Sequence, residues 1–339
     1  MKRLTWLMAL TLLAAMAFAG GQGEAAEEEA MEEEVYEFNI AHSEAIGTPL
    51  TEALERWGQL VQERSDGRIV AKHFPASQLG SYTQLIEMSR IGTIQATVGG
   101  PDTEEAVAPE IAVTGLGFIF ADEEHVDAVL QGEIGEEMSQ IAREKTGVEF
   151  VDYGEVGFRH LLANRPVRNL DELEGLKLRV PELNIWIQFW QNLGANPTPL
   201  PYAEQYNALS TGVIDAVEAD FFSINGFKWY EQAEHLTLTY HWFLPKAVRV
   251  NAAWLDSLPP DLADIIRDTA SEVFAEQRRE NRANTEDALQ ELIDLGVEVY
   301  ELSNAEMAQW LELTQPLYDA YVTQHPEAES MINRILALR

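Results

Sequence analysis

Residues 36–74 decide the fold class, and they read YEFNIAHSEAIGTPLTEALERWGQLVQERSDGRIVAKHF. Apolar and polar residues alternate over the first six positions, which predicts a strand with one buried face. Thr48 and Pro49 then predict the start of a helix, because a threonine hydroxyl accepts from free backbone amides and proline is tolerated in the first helical turn. Apolar residues return at 69–74, after an Asp-Gly turn, and predict a second strand.

The same alternation continues along the chain. A helix predicted at 82–91 and a strand at 94–98 complete a strand–helix–strand–helix–strand unit, which favours a largely parallel sheet with helices on its faces. Further strands are predicted at 148–153, 176–180 and 214–218, separated by helical segments. A chain of 339 residues is too long for one small core and suits two lobes. The fold class predicted from these patterns is therefore α/β.

The longest helical pattern follows Pro259-Pro260 and runs over residues 261–295, ending at Gly296. A helix of this length would extend about 50 Å, which is longer than one lobe is wide. We therefore expect one long helix that spans both lobes, although residues 277–287 are unusually polar for a core helix. Two shorter helices with an unmarked break between them are the alternative.

The N-terminus has the features of an export signal. Lys2 and Arg3 precede an apolar run at 4–18, and a small-x-small cleavage site ends at Ala19. A membrane anchor is the alternative, but the run is shorter than the ~20 residues that a span needs. Residues 1–19 are thus predicted to be a signal peptide and 20–34, with seven glutamates, an acidic flexible linker. After cleavage the protein is expected in the periplasm, without a membrane span of its own.

Composition excludes several classes of function. The net charge is −34, so neither nucleic acid nor an anionic membrane surface is an expected partner. The chain has no cysteine, which excludes thiol catalysis and disulfides. It contains no nucleophile elbow of serine hydrolases, no phosphate-binding loop and no HExxH zinc motif, and its seven histidines have no paired metal spacing. We expect no enzyme activity, no cofactor and no metal site.

A series of motifs between residues 157 and 251 carries more specific information. In order, they are GFR at 157–159, NRPV at 164–167, DELEGLKLRVPE at 171–182, LGANPTP at 193–199 and GVIDAVE at 212–218. Together with FPASQLG at 74–80, they resemble the solute-binding subunit of tripartite ATP-independent periplasmic (TRAP) transporters, of the dicarboxylate-binding type. The resemblance covers nearly the whole mature chain.

The resemblance implies a two-lobed periplasmic-binding-protein fold. Its lobes are expected to comprise 35–156 with 245–284, and 157–244 with 285–339. A small organic acid, either a sugar acid such as a uronate or a dicarboxylate, would bind in the cleft between them. The closed protein would then deliver this ligand to the membrane permease subunits of the transporter.

Arg179 is the leading candidate for a ligand anchor. It ends an otherwise apolar predicted strand, and α/β sheets place their ligands at the carboxyl ends of strands. Its planar guanidinium can bind a carboxylate through two parallel hydrogen bonds, which a lysine cannot do. By resemblance, Arg179 is the principal carboxylate anchor and Arg159 a second, supporting arginine. A structural ion pair is the alternative for each.

Further candidates come from position and resemblance. His42 follows the first strand, Tyr202 matches a position where the family often has an aromatic ring against the ligand, and Trp242 lies near the expected hinge; plain core packing is the alternative for His42 and Tyr202. Trp186 and Trp190 are expected to be core residues, with a place in the wall of the ligand site as the alternative.

Two acidic residues bear on the identity of the ligand. The family commonly has proline where this chain has Asp220, and Glu182 lies three residues after Arg179. If either faces the cleft, the ligand must offer hydroxyl or ammonium groups, because a second bare carboxylate would be repelled. This favours a hydroxylated sugar acid or an amino-acid-like ligand over a simple C4-dicarboxylate, unless both side chains face solvent.

Two other functions remain open from the sequence. A periplasmic enzyme acting on acidic sugars could use a similar frame, and turnover of a bound ligand would identify it. A receptor that presents its ligand to a sensor protein would have the same site. A neighbouring transporter gene or sensor gene would distinguish this receptor from the transporter subunit.

Overall fold

Two mixed β-sheets with helices packed on them make up residues 34–339, the part of the chain that this computed structural model describes. The predicted signal peptide and all but the last residue of the predicted linker lie outside the described residues. Residues 35–339 form one compact unit. No helix within 34–339 is both long and apolar enough to cross a membrane.

The first sheet has the strand order β2-β1-β3-β10-β4. Its strands are β1 (Tyr36–Ala41), β2 (Ile69–Phe74), β3 (Ala96–Gly99), β4 (Val148–Gly154) and β10 (Lys246–Asn251). Strands β1, β2 and β3 are parallel, as the sequence predicts. Strand β10 runs antiparallel to both β3 and β4, so four of the five strands share one direction and the sheet is largely parallel, as expected, with β10 as the exception. The reason is that β10 enters the sheet directly from a strand of the other sheet, without a crossover helix.

The second sheet has the order β11-β9-β5-β8-β6-β7. Its strands are β5 (Phe158–Ala163), β6 (Lys177–Val180), β7 (Asn196–Pro199), β8 (Ala216–Ala219), β9 (His235–Phe243) and β11 (Glu298–Glu301). Strands β6, β7 and β8 are parallel, whereas β5 pairs antiparallel with β8 and β9. The carboxyl end of β6 thus lies beside the amino end of β5.

Twelve α-helices surround the sheets in the described part of the chain. They are α1 (Pro49–Arg64), α2 (Tyr82–Arg90), α3 (Pro109–Ala112), α4 (Glu123–Leu130), α5 (Glu133–Thr146), α6 (Asn184–Asn192), α7 (Gln205–Ser210), α8 (Phe221–Gly226), α9 (Ala252–Ser257), α10 (Pro260–Asp294), α11 (Asn304–Gln324) and α12 (Glu329–Leu336). The side chain of Thr48 caps α1, as predicted. Ser303 and Glu306 form the predicted capping box at the start of α11.

Three segments connect the two sheets: residues 155–157 between β4 and β5, residues 244–245 between β9 and β10, and helix α10. Helix α10 is unbroken over 35 residues, a length of about 52 Å, so the alternative of two shorter helices is wrong. Its polar middle contacts the first connection. Buried Gln277 accepts from the Glu155 amide at 3.0 Å and donates to the Glu155 carbonyl at 2.8 Å. Arg282 bridges Glu155 and Asp127 at 2.8 and 2.7 Å.

The apolar interior is divided among three main clusters. One lies under the first sheet around Phe38, Trp57 and Phe274, and another lies under the second sheet around Trp229 and Leu292. The largest draws side chains from both sheets and from the C-terminal helices. The facing edges of the sheets are therefore held by a shared core, and the site described next lies at these edges.

Candidate functional site

A small, partly open cavity lies between the facing edges of the two sheets; its empty volume is about 370 Å³ when the space open to solvent is included. The first sheet and its neighbouring loops contribute Ser43, Glu44, Tyr82, Asp102 and Lys246, the second contributes Arg159, Arg179, Pro181, Trp186 and Tyr202, and Leu244 comes from a connecting segment. The lining is therefore shared by both halves of the fold.

Glu44 and Lys246 form a buried ion pair on the first side of the cavity. Glu44 follows β1 and Lys246 opens the antiparallel strand β10, so the fold brings them to the same edge of the sheet. Their Oε1 and Nζ atoms are 2.8 Å apart. Burial alone would raise the pKa of Glu44, but the ammonium of Lys246 lowers it below its ordinary value. This pair is thus charged and internally balanced.

Arg159 is held by a carboxylate of the protein through its Nε and Nη2 atoms. Its Nε and Nη2 donate to the two carboxylate oxygens of Glu218 at 2.6 and 3.0 Å, and Nη2 also donates to the Glu218 carbonyl at 2.6 Å. Its Nη1 lies 3.7 Å from Asp220 Oδ2. Although burial opposes the charge of Arg159, Glu218 outweighs it and raises the guanidinium pKa. Arg159 therefore has the structural ion pair that the sequence left open as its alternative.

Arg179 has a different environment, although it is equally buried. Its side chain donates from Nε to the Leu200 carbonyl at 2.9 Å, and its Cζ lies 5.3 Å from the ring centre of Tyr202. Within residues 34–339, no carboxylate oxygen lies within 4.0 Å of its guanidinium, which excludes the alternative of a structural ion pair there. Burial lowers the pKa of Arg179 to about 10, opposed by the more distant charge of Glu218. The cavity thus contains a cation without a contacting counter-charge.

Asp102 is a cavity residue that the sequence analysis missed. It follows β3 in a short 3₁₀ turn at 101–104. Its Oδ2 accepts from the indole Nε1 of Trp186 at 2.7 Å, while its Oδ1 is buried without a hydrogen-bond partner among the described residues. Burial raises the pKa of Asp102, opposed by the Trp186 hydrogen bond and by nearby Arg249.

The structure brings together only some of the residues predicted from the sequence. Arg159, Arg179 and Tyr202 line the cavity. The exposed side chain of Glu182 lines an adjoining recess that shares Arg179 and Tyr202 with the cavity.

Three predicted residues are buried just outside the lining. His42 is 2.7 Å from His73 Nε2 through its own Nε2, and its Nδ1 accepts from the Glu44 amide at 3.2 Å. Asp220 caps α8 by accepting from the amide and hydroxyl of Ser223. Trp242 packs on Trp186, with ring centres 4.1 Å apart.

The residues that sequence reasoning missed have a common signal. Glu44 and Asp102 each follow a strand of the parallel set by a few residues, and ligand-binding side chains gather at such carboxyl ends. Trp186 was predicted to be a core residue, and its ring does pack on Trp242 and beneath the guanidinium of Arg159, 5.4 Å from Cζ to ring centre. Trp186 nevertheless also lines the cavity, and its indole nitrogen donates to Asp102.

This arrangement suits the binding of an anion with several polar groups. Arg179 offers a charge, Ser43 and Tyr82 offer hydroxyls, and the aromatic faces of Trp186 and Tyr202 form walls. Across residues 34–339, no group of three or more His, Asp or Glu side chains is placed to hold a metal ion.

Comparison with known proteins gives a consistent result. A family model described as bacterial extracellular solute-binding protein, family 7, matches residues 40–324. A solute-binding protein of Chromohalobacter salexigens is 32% identical over 288 residues, covering 85% of each chain.

Two crystal structures are similar over nearly their whole length. A TRAP periplasmic solute-binding protein of Xanthobacter autotrophicus with bound β-D-galacturonate has a TM-score of 0.84 and 30% identity, over 89% of this chain and all of its own. The sugar acid binding protein of Advenella mimigardefordensis in complex with galactonate has a TM-score of 0.86 and 28% identity, over 90% of this chain and 99% of its own. With two sheets, a polar cleft and a family match over most of its length, this chain belongs to family 7 of the bacterial extracellular solute-binding proteins.

Proposed function

We propose that this protein is the solute-binding subunit of a TRAP transporter and that it captures a small sugar acid through Arg179. The observation that carries the proposal is the state of this arginine. It is 4% exposed, lines the cavity and contacts no carboxylate of the described chain. A buried cation without a counter-charge is costly, and a ligand carboxylate would compensate it with two charge-assisted hydrogen bonds.

The sugar-acid class is supported by the similar structures, whose ligands are galacturonate and galactonate. It is also supported by the polar and aromatic character of the lining. The hydroxyls of Ser43 and Tyr82 and the carboxylate of Glu44 can bind sugar hydroxyls, while the rings of Trp186 and Tyr202 can pack against the carbon skeleton.

The other predicted residues have supporting roles in this proposal. Because Glu218 already occupies its hydrogen-bonding fork, Arg159 is a positioning residue that holds Trp186 and adds positive potential. Asp220 fixes the start of α8 beside Arg159, and Trp242 supports Trp186. His42 orders the loop that carries Glu44, and Glu182 lies at the mouth of the cleft.

In this proposal the protein works outside the cytoplasm by closing on its ligand. The signal peptide is cleaved near Ala19, and residues 35–156 with 245–284 form one lobe, 157–244 with 285–339 the other. Residues 155–157 and 244–245 act as hinges while α10 bends or pivots. The closed form then docks on the permease subunits, and the protein releases its ligand chemically unchanged, as a binding protein and not an enzyme.

Isothermal titration calorimetry of the mature protein tests the proposal. The panel contains galacturonate, glucuronate, galactonate, erythronate, succinate and two amino acids, titrated into wild type and Arg179→Met. We expect one class of sugar acids to bind wild type, and Arg179→Met to lose at least about 2 kcal/mol of binding free energy, roughly thirtyfold in Kd. Equal binding by the variant would contradict the proposed anchor.

A second measurement separates binding from turnover. Proton NMR of a bound sugar acid after long incubation with the protein should show no change in its spectrum. A new product signal would instead favour the periplasmic enzyme that the sequence left open.

A further inference from the structure

Asp102 differs from Glu44, the other carboxylate of the cavity lining, in how its oxygens are bound. Its side chain is 1% exposed, so its charge is almost fully removed from solvent. One oxygen is bound by the indole of Trp186, and the other has no hydrogen-bond partner among residues 34–339. Unsatisfied buried acceptors are rare in folded proteins and need an explanation. A donor supplied by the ligand is the explanation that the position of Asp102 in the cavity wall suggests.

The surrounding backbone holds this carboxylate in place. A Cβ atom at Gly100 would lie 2.0 Å from Asp102 Oδ1, and one at Gly115 would lie 2.6 Å from Asp102 Cβ. Both positions therefore require glycine, because any larger side chain would push Asp102 aside. With the Trp186 hydrogen bond on the other oxygen, the carboxylate has little freedom to turn away from the cavity.

The charges near Asp102 decide which donor it can accept. Glu44 already binds Lys246, and Glu104 and backbone carbonyls at 99 and 100 already bind Arg249. Arg159 is likewise bound by Glu218, so among the described lining residues no cation other than Arg179 is left to neutralise a second carboxylate of the ligand. A ligand ammonium would meet Lys246 and Arg159 in the same cavity. A hydroxyl group has neither problem, because it donates a hydrogen bond without bringing a charge.

We propose that Asp102 is the specificity-determining acceptor of this cleft, which binds a ligand hydroxyl and rejects acids that carry a second carboxylate in its place. The inference rests on the proposed function, since it assumes that Arg179 holds the first carboxylate. It defines the ligand as a hydroxylated monocarboxylate.

The test uses two acids that differ only at one end. Galactonate ends in a hydroxymethyl group, and galactarate has a carboxylate there. Both are titrated at pH 8 into wild type, Asp102→Asn and Glu105→Gln. The high pH is chosen because burial raises the pKa of Asp102, and a protonated carboxyl would not repel galactarate. Glu105→Gln is the matched control, because it removes one negative charge three residues away from a side chain outside the cavity lining.

We expect wild type and Glu105→Gln to bind galactonate at least about tenfold more tightly than galactarate, since specificity against the second acid comes from the unpaired charge it would meet. Asparagine keeps the shape and can still accept from Trp186, but it can also donate to a carboxylate. In Asp102→Asn the ratio of the two Kd values should therefore fall to within about threefold.

An unchanged ratio of the two Kd values in Asp102→Asn would overturn the inference about Asp102. Tight binding of galactarate to wild type would also overturn it, and this second measurement does not depend on the folding of any variant. Arg179→Met distinguishes this failure from failure of the proposed function. If Arg179→Met loses both acids while Asp102→Asn keeps the wild-type ratio, only the role of Asp102 is wrong. If Arg179→Met still binds both, the anchor itself is wrong.

Discussion

The same substitution at the two cavity arginines should change the stability of the unliganded protein in opposite directions. Arg179 and Arg159 are almost equally buried, at 4% and 3% exposure, and methionine can replace the aliphatic part of either side chain. Arg159 is bound by the carboxylate of Glu218, whereas Arg179 contacts no carboxylate of the described residues. We therefore expect Arg179→Met to stabilise the unliganded protein and Arg159→Met to destabilise it.

The magnitudes follow from the burial of each charge. Burial lowers the pKa of Arg179 to about 10, and at about 1.4 kcal/mol for each pKa unit this charge costs the folded protein about 3 kcal/mol. Removing it also loses the hydrogen bond to the Leu200 carbonyl, worth about 1 kcal/mol. The net gain is about 2 kcal/mol. Arg159→Met leaves Glu218 buried without its arginine and with only the imidazole of His241 beside it, at 3.3 Å, which should cost about 3 kcal/mol.

Differential scanning calorimetry of the two variants without ligand measures both effects. For the described 34–339 segment, the gain of about 2 kcal/mol in Arg179→Met corresponds to a rise of about 3 °C in Tm. The Tm of Arg159→Met should fall by at least as much. Adding a bound sugar acid should raise the Tm of wild type by more than that of Arg179→Met, because the variant is expected to bind it at least about thirtyfold more weakly. A Tm for Arg179→Met as far below wild type as that of Arg159→Met would refute the reasoning, because Arg179 would then be a structural residue.

Three further predictions concern pH, closure and salt. Burial, with smaller contributions from neighbouring charges, lowers the pKa of His42 to about 3. Below about pH 6.5 the unfolded chain therefore takes up a proton at this residue, whereas the folded protein does not, and the free energy of unfolding falls as pH falls. Between pH 7.5 and 5.5 this effect lowers the free energy of unfolding by about 1.4 kcal/mol. In urea unfolding, the pH dependence of His42→Asn should be smaller than that of wild type by this amount. An equal pH dependence in the two proteins would contradict the prediction. A Cβ at Gly226, in α8, would lie 2.7 Å from that of Ala45, in the loop after β1, so a methyl group there would press the two halves of the fold apart. Gly226→Ala should therefore weaken ligand affinity about tenfold and enlarge the ligand-bound radius of gyration in X-ray scattering. An unchanged radius and Kd would show that the contact does not limit closure. The net charge of −34 repels an anion at long range, and salt screens this repulsion: the screening length falls from about 14 to about 4 Å between 0.05 and 0.5 M NaCl. Stopped-flow tryptophan fluorescence should therefore show a ligand association rate that rises over this range. A steep fall in the rate would mean that the cleft attracts its ligand at long range.

Local signals in the sequence predicted the local structure well. Helix α1 begins at the predicted cap and β2 has the predicted bounds, because capping residues and apolar alternation act within a few positions. The long helix α10 was predicted for the same reason. Strands β9 and β10 were not predicted, since most of their residues are buried on both faces and show no alternation. Their antiparallel direction depends on how the chain passes from one sheet to the other, which no local pattern encodes.

The site was predictable where position and chemistry coincide. Arg179 is an isolated cation at the end of an apolar strand, and this combination is rare enough to be informative. Asp102 and Glu44 were missed because the chain has 57 acidic residues, so a single carboxylate carries little information. The partner of Glu44 is Lys246, 202 residues away, and only the fold reveals that pairing.

The charge distribution explains how so acidic a protein can bind an acid. Three ion pairs near the cleft, Glu44–Lys246, Arg159–Glu218 and Glu104–Arg249, are buried and balanced, so they define the shape of the site without adding net charge. Among the described lining residues, Arg179 is the cation that remains for a ligand carboxylate, and in the proposed binding mode the closed cleft shields this contact from the screening that weakens surface charges. The many surface carboxylates act at longer range through solvent, where salt attenuates them. In this proposal recognition depends on one local cation and one local acceptor, and surface charge could change widely without altering which acid is bound.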